Sequence, residues 1–160
     1  MPTHDTTIAP VVKSITIDRD IEETFRLFTE EINAWWPLET HSVSEDASAS
    51  LRLEGFAGGR LVETSGDGEE FELGVVQTWE PPGELSFSWY PGRHPDTSQT
   101  VVVRFTEQNH GTRVVLTHSG WERPGADGAK TRADYDTGWE FVLVQKFGEY
   151  AGRPERGPNT

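Results

Sequence analysis

The last long apolar segment of the chain, roughly residues 131–151, constrains the fold more than any other stretch. Large apolar residues recur in it at intervals of four, four and three, and they are Trp139, Leu143, Phe147 and Tyr150. This spacing places the four side chains on one face of an amphipathic helix. Val142 widens the apolar face, so the segment is predicted to form a long helix that buries one side.

A run of short strands precedes this helix. From about residue 59 to residue 119, apolar and polar residues alternate with a period of two, which is typical of strands with one buried face. The clearest of these strands has Phe71, Leu73, Val75 and Trp79 on one face. Turns rich in glycine and proline separate neighbouring strands, so a sequential antiparallel meander is the expected topology.

The N-terminal part adds one more strand and two short helices. Residues 11–17 are predicted to form a first strand, because they are rich in β-branched side chains. Asp20, three residues before Glu23, has the form of a capping box and predicts a helix over residues 21–32. A second helical turn over residues 33–36 ends before a proline, which disfavours helical geometry in the residue that precedes it.

These elements together predict an α+β fold. A curved antiparallel sheet of six to seven strands is expected to wrap around the long C-terminal helix, with two short helices after the first strand. An antiparallel sheet with one apolar face needs a cover, so the helix should lie in the curve of the sheet, with a ligand cavity between them. One domain is expected over residues 11–151, with disordered ends at 1–10 and 152–160.

Charge and cysteine content exclude several classes of function. With 14 Lys and Arg against 27 Asp and Glu, the net charge is −13, which repels nucleic-acid phosphates and anionic membrane surfaces. The chain has no cysteine, which excludes disulfides and thiol nucleophiles. Neither a secretory signal nor an apolar run of about 18 residues is found. We therefore expect a cytoplasmic protein that is not associated with membranes.

No metal ion or cofactor is expected either. The five histidines show no close pair with the spacing of metal ligands, and they are His4, His41, His94, His110 and His118. The glycines at positions 55, 58 and 59 do not form a dinucleotide-binding fingerprint, because no strand-to-helix unit surrounds them.

Four short motifs, taken in order along the chain, resemble one known superfamily. They are Trp35-Trp36-Pro37, Gly58-Gly59-Arg60-Leu61, Leu116-Thr117-His118-Ser119-Gly120-Trp121 and Gly138-Trp139-Glu140. Together they resemble the SRPBCC (START-like, Bet v 1-like) superfamily, specifically the branch related to the C-terminal domain of the heat-shock-protein ATPase activator. The resemblance extends over about residues 11–151. It implies a helix-grip fold, in which the sheet holds the long C-terminal helix, and often a hydrophobic cavity.

The resemblance implies a group of functions, because the branch is similar to co-chaperone domains, antibiotic-resistance binders, lipid carriers and aromatase/cyclases. We therefore expect a binder or carrier of a small hydrophobic or aromatic molecule. One alternative is an enzyme of cyclase, dehydratase or hydrolase type that uses His118 or Tyr135 as acid or base. Another is a co-chaperone-like interaction module. Exposed sheet edges also suggest a homodimer.

His118 is the polar residue of greatest interest. By strand alternation it lies on the same face as Val114 and Leu116, towards the core or a cavity. There it could donate a hydrogen bond to a ligand or act as an acid or base. The alternative is a structural histidine, which is the more common case, since buried polar groups usually have protein partners. The neighbouring Ser119 points to the opposite face, so the two residues do not form a nucleophile pair.

Aromatic residues supply the other candidate ligand contacts. The chain has six Trp and eight Phe, and such flat, rigid side chains suit both pocket walls and core packing. The resemblance implies that Trp139 packs beneath the last strand, and Tyr135, one turn earlier, could reach the cavity entrance. The full candidate ligand-binding set is Trp35, Trp36, His41, Trp79, Phe87, Trp89, Phe105, His118, Trp121, Tyr135 and Trp139.

Overall fold

A computed structural model of the chain describes residues 9–38, 49–90, 99–109, 111–120 and 128–152, with the backbone alone for residues 128–131. The predicted order of elements is confirmed. Their bounds are β1 Val11–Ile17, α1 Ile21–Thr29, α2 Ile32–Trp35, β2 Ser50–Leu53, β3 Arg60–Thr64, β4 Glu70–Glu80, β5 Glu84–Trp89, β6 Gln99–Gln108, β7 Gly111–Ser119 and α3, residues 128–152. The ends predicted to be disordered, residues 1–10 and 152–160, lie mostly outside the described residues.

One antiparallel sheet holds the seven strands in the order β1-β7-β6-β5-β4-β3-β2. Strands β2 to β7 form the predicted meander, whereas β1 lies at the far edge and pairs with β7, from Val11 opposite His118 to Ile17 opposite Thr112. The register shifts between β3 and β4 and again between β4 and β5, and such irregularities bend and twist a sheet. The predicted helix-grip fold with a curved sheet is therefore confirmed.

The backbones of β4 and β5 approach each other closely at Gly74. A Cβ atom on this residue would lie 1.8 Å from the carbonyl oxygen of Ser88, so no larger residue fits without displacing the strand. The Ser88 hydroxyl accepts a hydrogen bond from the backbone N–H of Val75 at 3.0 Å. Gly74 therefore permits β4 to approach the end of β5 closely, beside Trp89.

The first helix is shorter than predicted. It begins as expected after Asp20, whose carboxylate accepts a hydrogen bond from the backbone N–H of Glu23 at 2.7 Å. It ends at Thr29, because Glu31 has a non-helical backbone conformation with φ −105° and ψ 23°. The predicted end at Ile32 is wrong, since that residue begins α2 instead.

The C-terminal helix α3 changes its geometry along its length. It begins three residues before the predicted start at residue 131 and comprises α-helical Gly128–Trp139, π-helical Glu140–Phe147 and α-helical Gly148–Gly152. No helix within the described part of the chain is long and apolar enough to cross a membrane. The π-helical turns were not predicted from the sequence.

The buried stripe of α3 explains why two helical geometries occur. Its buried side chains include a series spaced by four residues, Trp139, Leu143, Phe147 and Ala151, with Val142 beside it. In an α-helix, a four-residue step overshoots one turn by about 40°. The wider π-helical turns rotate the other way for the same step, so the two drifts offset each other. The stripe therefore faces the sheet and includes Ala151, while the predicted Tyr150 is partly buried against the same core.

Ion pairs fix α3 beside the first strand. The Nζ atom of Lys13 on β1 lies 3.3 Å from a carboxylate oxygen of Asp136 and 3.1 Å from one of Glu140. Burial lowers the pKa of Lys13, but the hydrogen bonds and charges of both carboxylates outweigh burial and hold the pKa above its ordinary value. Such partly exposed pairs contribute little stability individually. They do specify which turn of α3 lies next to β1.

Phe147 provides a sensitive test of the packing between helix and sheet. Its ring is fully buried, and the ring centroid lies 5.2 Å from that of Phe28 and 4.9 Å from that of Trp35. We expect Phe147→Ala to lower the free energy of unfolding by about 3–5 kcal/mol, because it leaves a large cavity. Chemical denaturation measures this change. Gln145→Ala, on the exposed side of the same helix, is the matched control, and an equally large loss in both variants would contradict the described packing.

Tyr150 connects the end of α3 to the junction between α1 and α2. Its hydroxyl donates a hydrogen bond to the carboxylate of Glu31, which also accepts one from Arg26. The Tyr150 hydroxyl is the main cause that holds the pKa of Glu31 below its ordinary value of 4.5, with Arg26 assisting, and burial opposes both.

Removing this hydrogen bond should give a pH-dependent loss of stability. We expect Tyr150→Phe to lower the free energy of unfolding by about 1 kcal/mol at pH 7, allowing for the partial exposure of Glu31. Because the pKa of Glu31 is lower in the folded protein than in the unfolded chain, its stabilisation is complete above about pH 4.5 and is lost as the pH falls through the folded pKa. Denaturation of both proteins at a series of pH values should show a difference that shrinks only below about pH 4.5. A difference that stays constant into acid would contradict this role of Glu31.

Candidate functional site

The structure brings together five of the predicted ligand-binding residues between α3 and the inner face of the sheet. They come from α3, β5, β7 and the residue that follows α2, and they are Trp36, Trp89, His118, Tyr135 and Trp139, called here the aromatic cluster. The three tryptophan rings lie near one another, with centroid distances of 5.8, 5.8 and 6.1 Å. Rings at these separations are in contact.

Strand register places the polar members of this region side by side. His118 on β7 lies opposite Val101 on β6. Gln99, two residues before Val101, shares its face of β6 and lies opposite Trp89 on β5. The same alternation in the sequence could have revealed Gln99 as an inward polar residue.

A chain of hydrogen bonds joins the helix to two strands. The indole N–H of Trp139 donates to Nδ1 of His118 at 2.9 Å, and Nε2 of His118 lies 2.8 Å from Oε1 of Gln99. All three side chains are buried, with exposed fractions of 3%, 0% and 1%. An indole N–H can only donate, so Nδ1 accepts and carries no hydrogen. The ring hydrogen is therefore on Nε2, which donates to the carbonyl oxygen of Gln99.

The same constraint determines which way the Gln99 amide points. In the reverse orientation its NH₂ group would face the Nε2–H of His118, and two donors would meet. The amide nitrogen of Gln99 therefore points away from His118. Among the described residues this buried nitrogen has no hydrogen-bond partner.

A second hydrogen bond crosses the aromatic cluster. The indole N–H of Trp89 donates to the hydroxyl of Tyr135 at 3.0 Å, and the Tyr135 ring lies 5.0 Å from the His118 ring. Trp89 is buried, whereas Tyr135 and Trp36 are only partly buried. These two residues are therefore the members that a molecule arriving from solvent would meet first.

Two other predicted residues border the aromatic cluster from within the core. Trp35 is buried, and its indole N–H donates to the backbone carbonyl of Leu27 at 3.0 Å, so it packs beneath α1. Phe87 is also buried, with its ring centroid 6.0 Å from that of Trp89. Their contacts are those of core residues, which was the alternative considered for each of them.

The remaining predicted residues lie elsewhere. Trp79 and Phe105 both contact the ring of Phe25 on α1, at centroid distances of 5.2 and 5.0 Å. They therefore lie around α1, and Phe105 connects to the aromatic cluster indirectly, through Phe28 and Trp35. His41 and Trp121 lie outside the described residues.

Trp79 also lines a groove between α1 and the loops that follow β2 and β4. The groove has a volume of about 680 Å³, and its lining includes Phe25, Arg26, Leu53, Trp79, Pro81 and Pro82. The cavity predicted between the sheet and α3 is a separate feature and stays a prediction. In the described part of the chain, no group of three or more His, Asp or Glu side chains could hold a metal ion.

The sequence matches a known family over residues 18–152, which is most of the chain. That family is described as "Activator of Hsp90 ATPase homolog 1-like protein". The chain belongs to this family. This membership confirms the family resemblance seen in the four motifs. The observed helix-grip fold is also the one that the resemblance implied. No curated protein matches the sequence of this member of the Activator of Hsp90 ATPase homolog 1-like family.

Solved structures similar to this family member include an enzyme. The anthrahydroquino-γ-pyrone synthase Txn09, solved as a complex, is 32% identical; the match covers 81% of this chain and 88% of that chain, with a TM-score of 0.56. The Aha1 dimer from Colwellia psychrerythraea is 15% identical, with coverages of 91% and 97% and a TM-score of 0.66. A protein from Mesorhizobium loti is 20% identical, with coverages of 91% and 98% and a TM-score of 0.68. The last two similarities concern the fold alone.

The hydrogen bonds between Trp139, His118 and Gln99 predict the tautomer of His118. Two-dimensional ¹H–¹⁵N correlation spectra should show His118 as the Nε2–H tautomer with a hydrogen-bonded Nδ1. Trp139→Phe removes the donor to Nδ1, so the Nδ1 resonance should move downfield and the free energy of unfolding should fall by about 1–3 kcal/mol. Trp79→Phe, outside the aromatic cluster, is the matched control and should leave the His118 resonances unchanged. An Nδ1–H tautomer in the wild-type protein would contradict the assignment.

Proposed function

We propose that the protein binds or carries a small hydrophobic or aromatic molecule at the aromatic cluster. The observation that carries this proposal is the meeting of three tryptophan rings, with centroids no more than 6.1 Å apart, beside the buried polar groups of His118 and Gln99. Flat, rigid rings offer a large contact area at a small loss of conformational entropy. A few placed polar groups among apolar walls are typical of small-molecule sites.

The similarity to the anthrahydroquino-γ-pyrone synthase supports the same ligand class. This relative is 32% identical to the chain, over 81% of its length. The name of the relative describes a flat, fused aromatic system that bears oxygen atoms. A molecule of this type could stack against the indole rings of Trp36, Trp89 and Trp139.

An enzymatic role is the second candidate, because that relative is a synthase. The reaction would be of cyclase, dehydratase or hydrolase type. Tyr135 is the better acid–base candidate, since it is partly exposed and lies at the outer side of the aromatic cluster. His118 is fully buried, and both of its ring nitrogens already bind protein side chains, so it acts more readily as a positioning residue.

A co-chaperone-like role and a homodimer stay predictions. The Aha1 structure from Colwellia psychrerythraea is described as a dimer, but at 15% identity that similarity supports the fold alone. The cytoplasmic location also stays a prediction.

Intrinsic fluorescence tests the binding proposal. Three of the six tryptophans belong to the aromatic cluster, so an uncharged tricyclic aromatic such as fluorene should quench emission saturably and raise the melting temperature. Trp36→Leu removes a partly exposed ring and should weaken binding about tenfold. Trp79→Leu removes a partly buried tryptophan outside the aromatic cluster and is the matched control.

Several outcomes would decide between the candidates. The absence of both quenching and a melting shift across a panel of two- and three-ring aromatics would reject ligand binding. Equal weakening by Trp36→Leu and Trp79→Leu would reject the aromatic cluster as the site. Recovery of unchanged ligand after incubation supports a carrier, whereas a product that forms only with Tyr135 intact supports an enzyme.

A further inference from the structure

Gln99 holds a hydrogen-bond donor that the described protein does not use. It is the first residue of β6, is 1% exposed and lies opposite Trp89 in the aromatic cluster. Its carbonyl oxygen accepts from Nε2 of His118, and the donor-only indole of Trp139 fixes that arrangement. The amide nitrogen, which points away from His118, has no hydrogen-bond partner among the described residues.

A buried donor of this kind needs an explanation, because nearly all buried polar groups in folded proteins are hydrogen-bonded. Other donors in the region already serve the protein: the Trp139 indole binds His118, and the Trp89 indole binds Tyr135. The Gln99 amide is thus a donor that an acceptor atom of a bound molecule would satisfy. Its burial would make that hydrogen bond selective, since a ligand without an acceptor would leave the amide unpaired.

We propose that the Gln99 amide donates a hydrogen bond to a carbonyl oxygen of the ligand, which makes the ligand a flat aromatic ketone, quinone or pyrone. This inference rests on the proposed function and names its ligand class. A carbonyl oxygen has no hydrogen and is uncharged, so it complements the amide. A charged acceptor fits less well, because the described side chains of the aromatic cluster are uncharged and the chain carries a net charge of −13.

A matched pair of probes tests the carbonyl directly. Xanthone and xanthene share a three-ring skeleton, and xanthene has a CH₂ group where xanthone has the carbonyl. Xanthene is the more apolar of the two, so apolar burial alone favours xanthene. Hydrogen bonding to Gln99 should reverse this order, and we expect the wild-type protein to bind xanthone about tenfold more tightly in fluorescence titrations. The infrared carbonyl stretch of bound xanthone should also shift to lower frequency than in an apolar solvent.

Two variants assign the preference to Gln99. Gln99→Met keeps a similar side-chain volume but lacks the amide. It should therefore bind xanthone about tenfold more weakly than the wild type does, whereas its affinity for xanthene should not change. Gln108→Met makes the same substitution at the exposed end of the same strand, and it should bind both probes like the wild type. Circular dichroism establishes that each variant is folded, and the two wild-type measurements decide the question if Gln99→Met does not fold.

The outcomes separate this inference from the proposed function. If no aromatic in the panel binds, the proposed function fails and the inference fails with it. If xanthone and xanthene bind equally, or if the preference for xanthone survives in folded Gln99→Met, binding stands and the role of Gln99 is rejected. A carbonyl stretch unchanged from that in an apolar solvent would reject it as well.

Discussion

A donor-only group, the indole N–H of Trp139, governs the hydrogen bonding of the interior. Because it binds Nδ1 of His118, the ring hydrogen must lie on Nε2, and the Gln99 amide must turn its oxygen towards the ring. One contact from α3 thus orients a side chain on β7 and, through it, another on β6. These hydrogen bonds also hold α3 against the sheet at the point where the aromatic cluster forms.

The register between helix and sheet depends on how α3 maintains this contact along its length. A four-residue spacing of buried side chains suits neither the α-helix nor the π-helix alone over about three turns. The combination keeps Trp139, Leu143, Phe147 and Ala151 on the inner side. Lys13 on β1 and Glu31 beside α2 then bind the polar flank and the end of the helix. The helix is therefore positioned by several elements, and the side chains around Trp139 are held in a defined arrangement.

Membership of the Activator of Hsp90 ATPase homolog 1-like family does not determine what this chain does, because one fold can support many unrelated functions. The proposed ligand follows from the composition of the site. Three tryptophans, a tyrosine and a buried histidine–glutamine pair combine apolar area with a small number of oriented polar groups. His118 is better understood as the group that orients Gln99 than as a catalytic base, since both of its nitrogens bind protein side chains.

The fold was predictable from local patterns, because the alternation of residues 59–119 and the apolar stripe from Trp139 onwards are periodic signals. The five members of the aromatic cluster were all candidate ligand contacts by sequence, and their binding role stays a prediction. The contacts of Trp79 and Phe105 with Phe25, and the hydrogen bond between Gln99 and His118, became known from the three-dimensional structure. Those groupings depend on which strands become neighbours and where the helix crosses them. Hydrogen-bond direction and the π-helical turns are likewise consequences of long-range packing, which no local pattern contains.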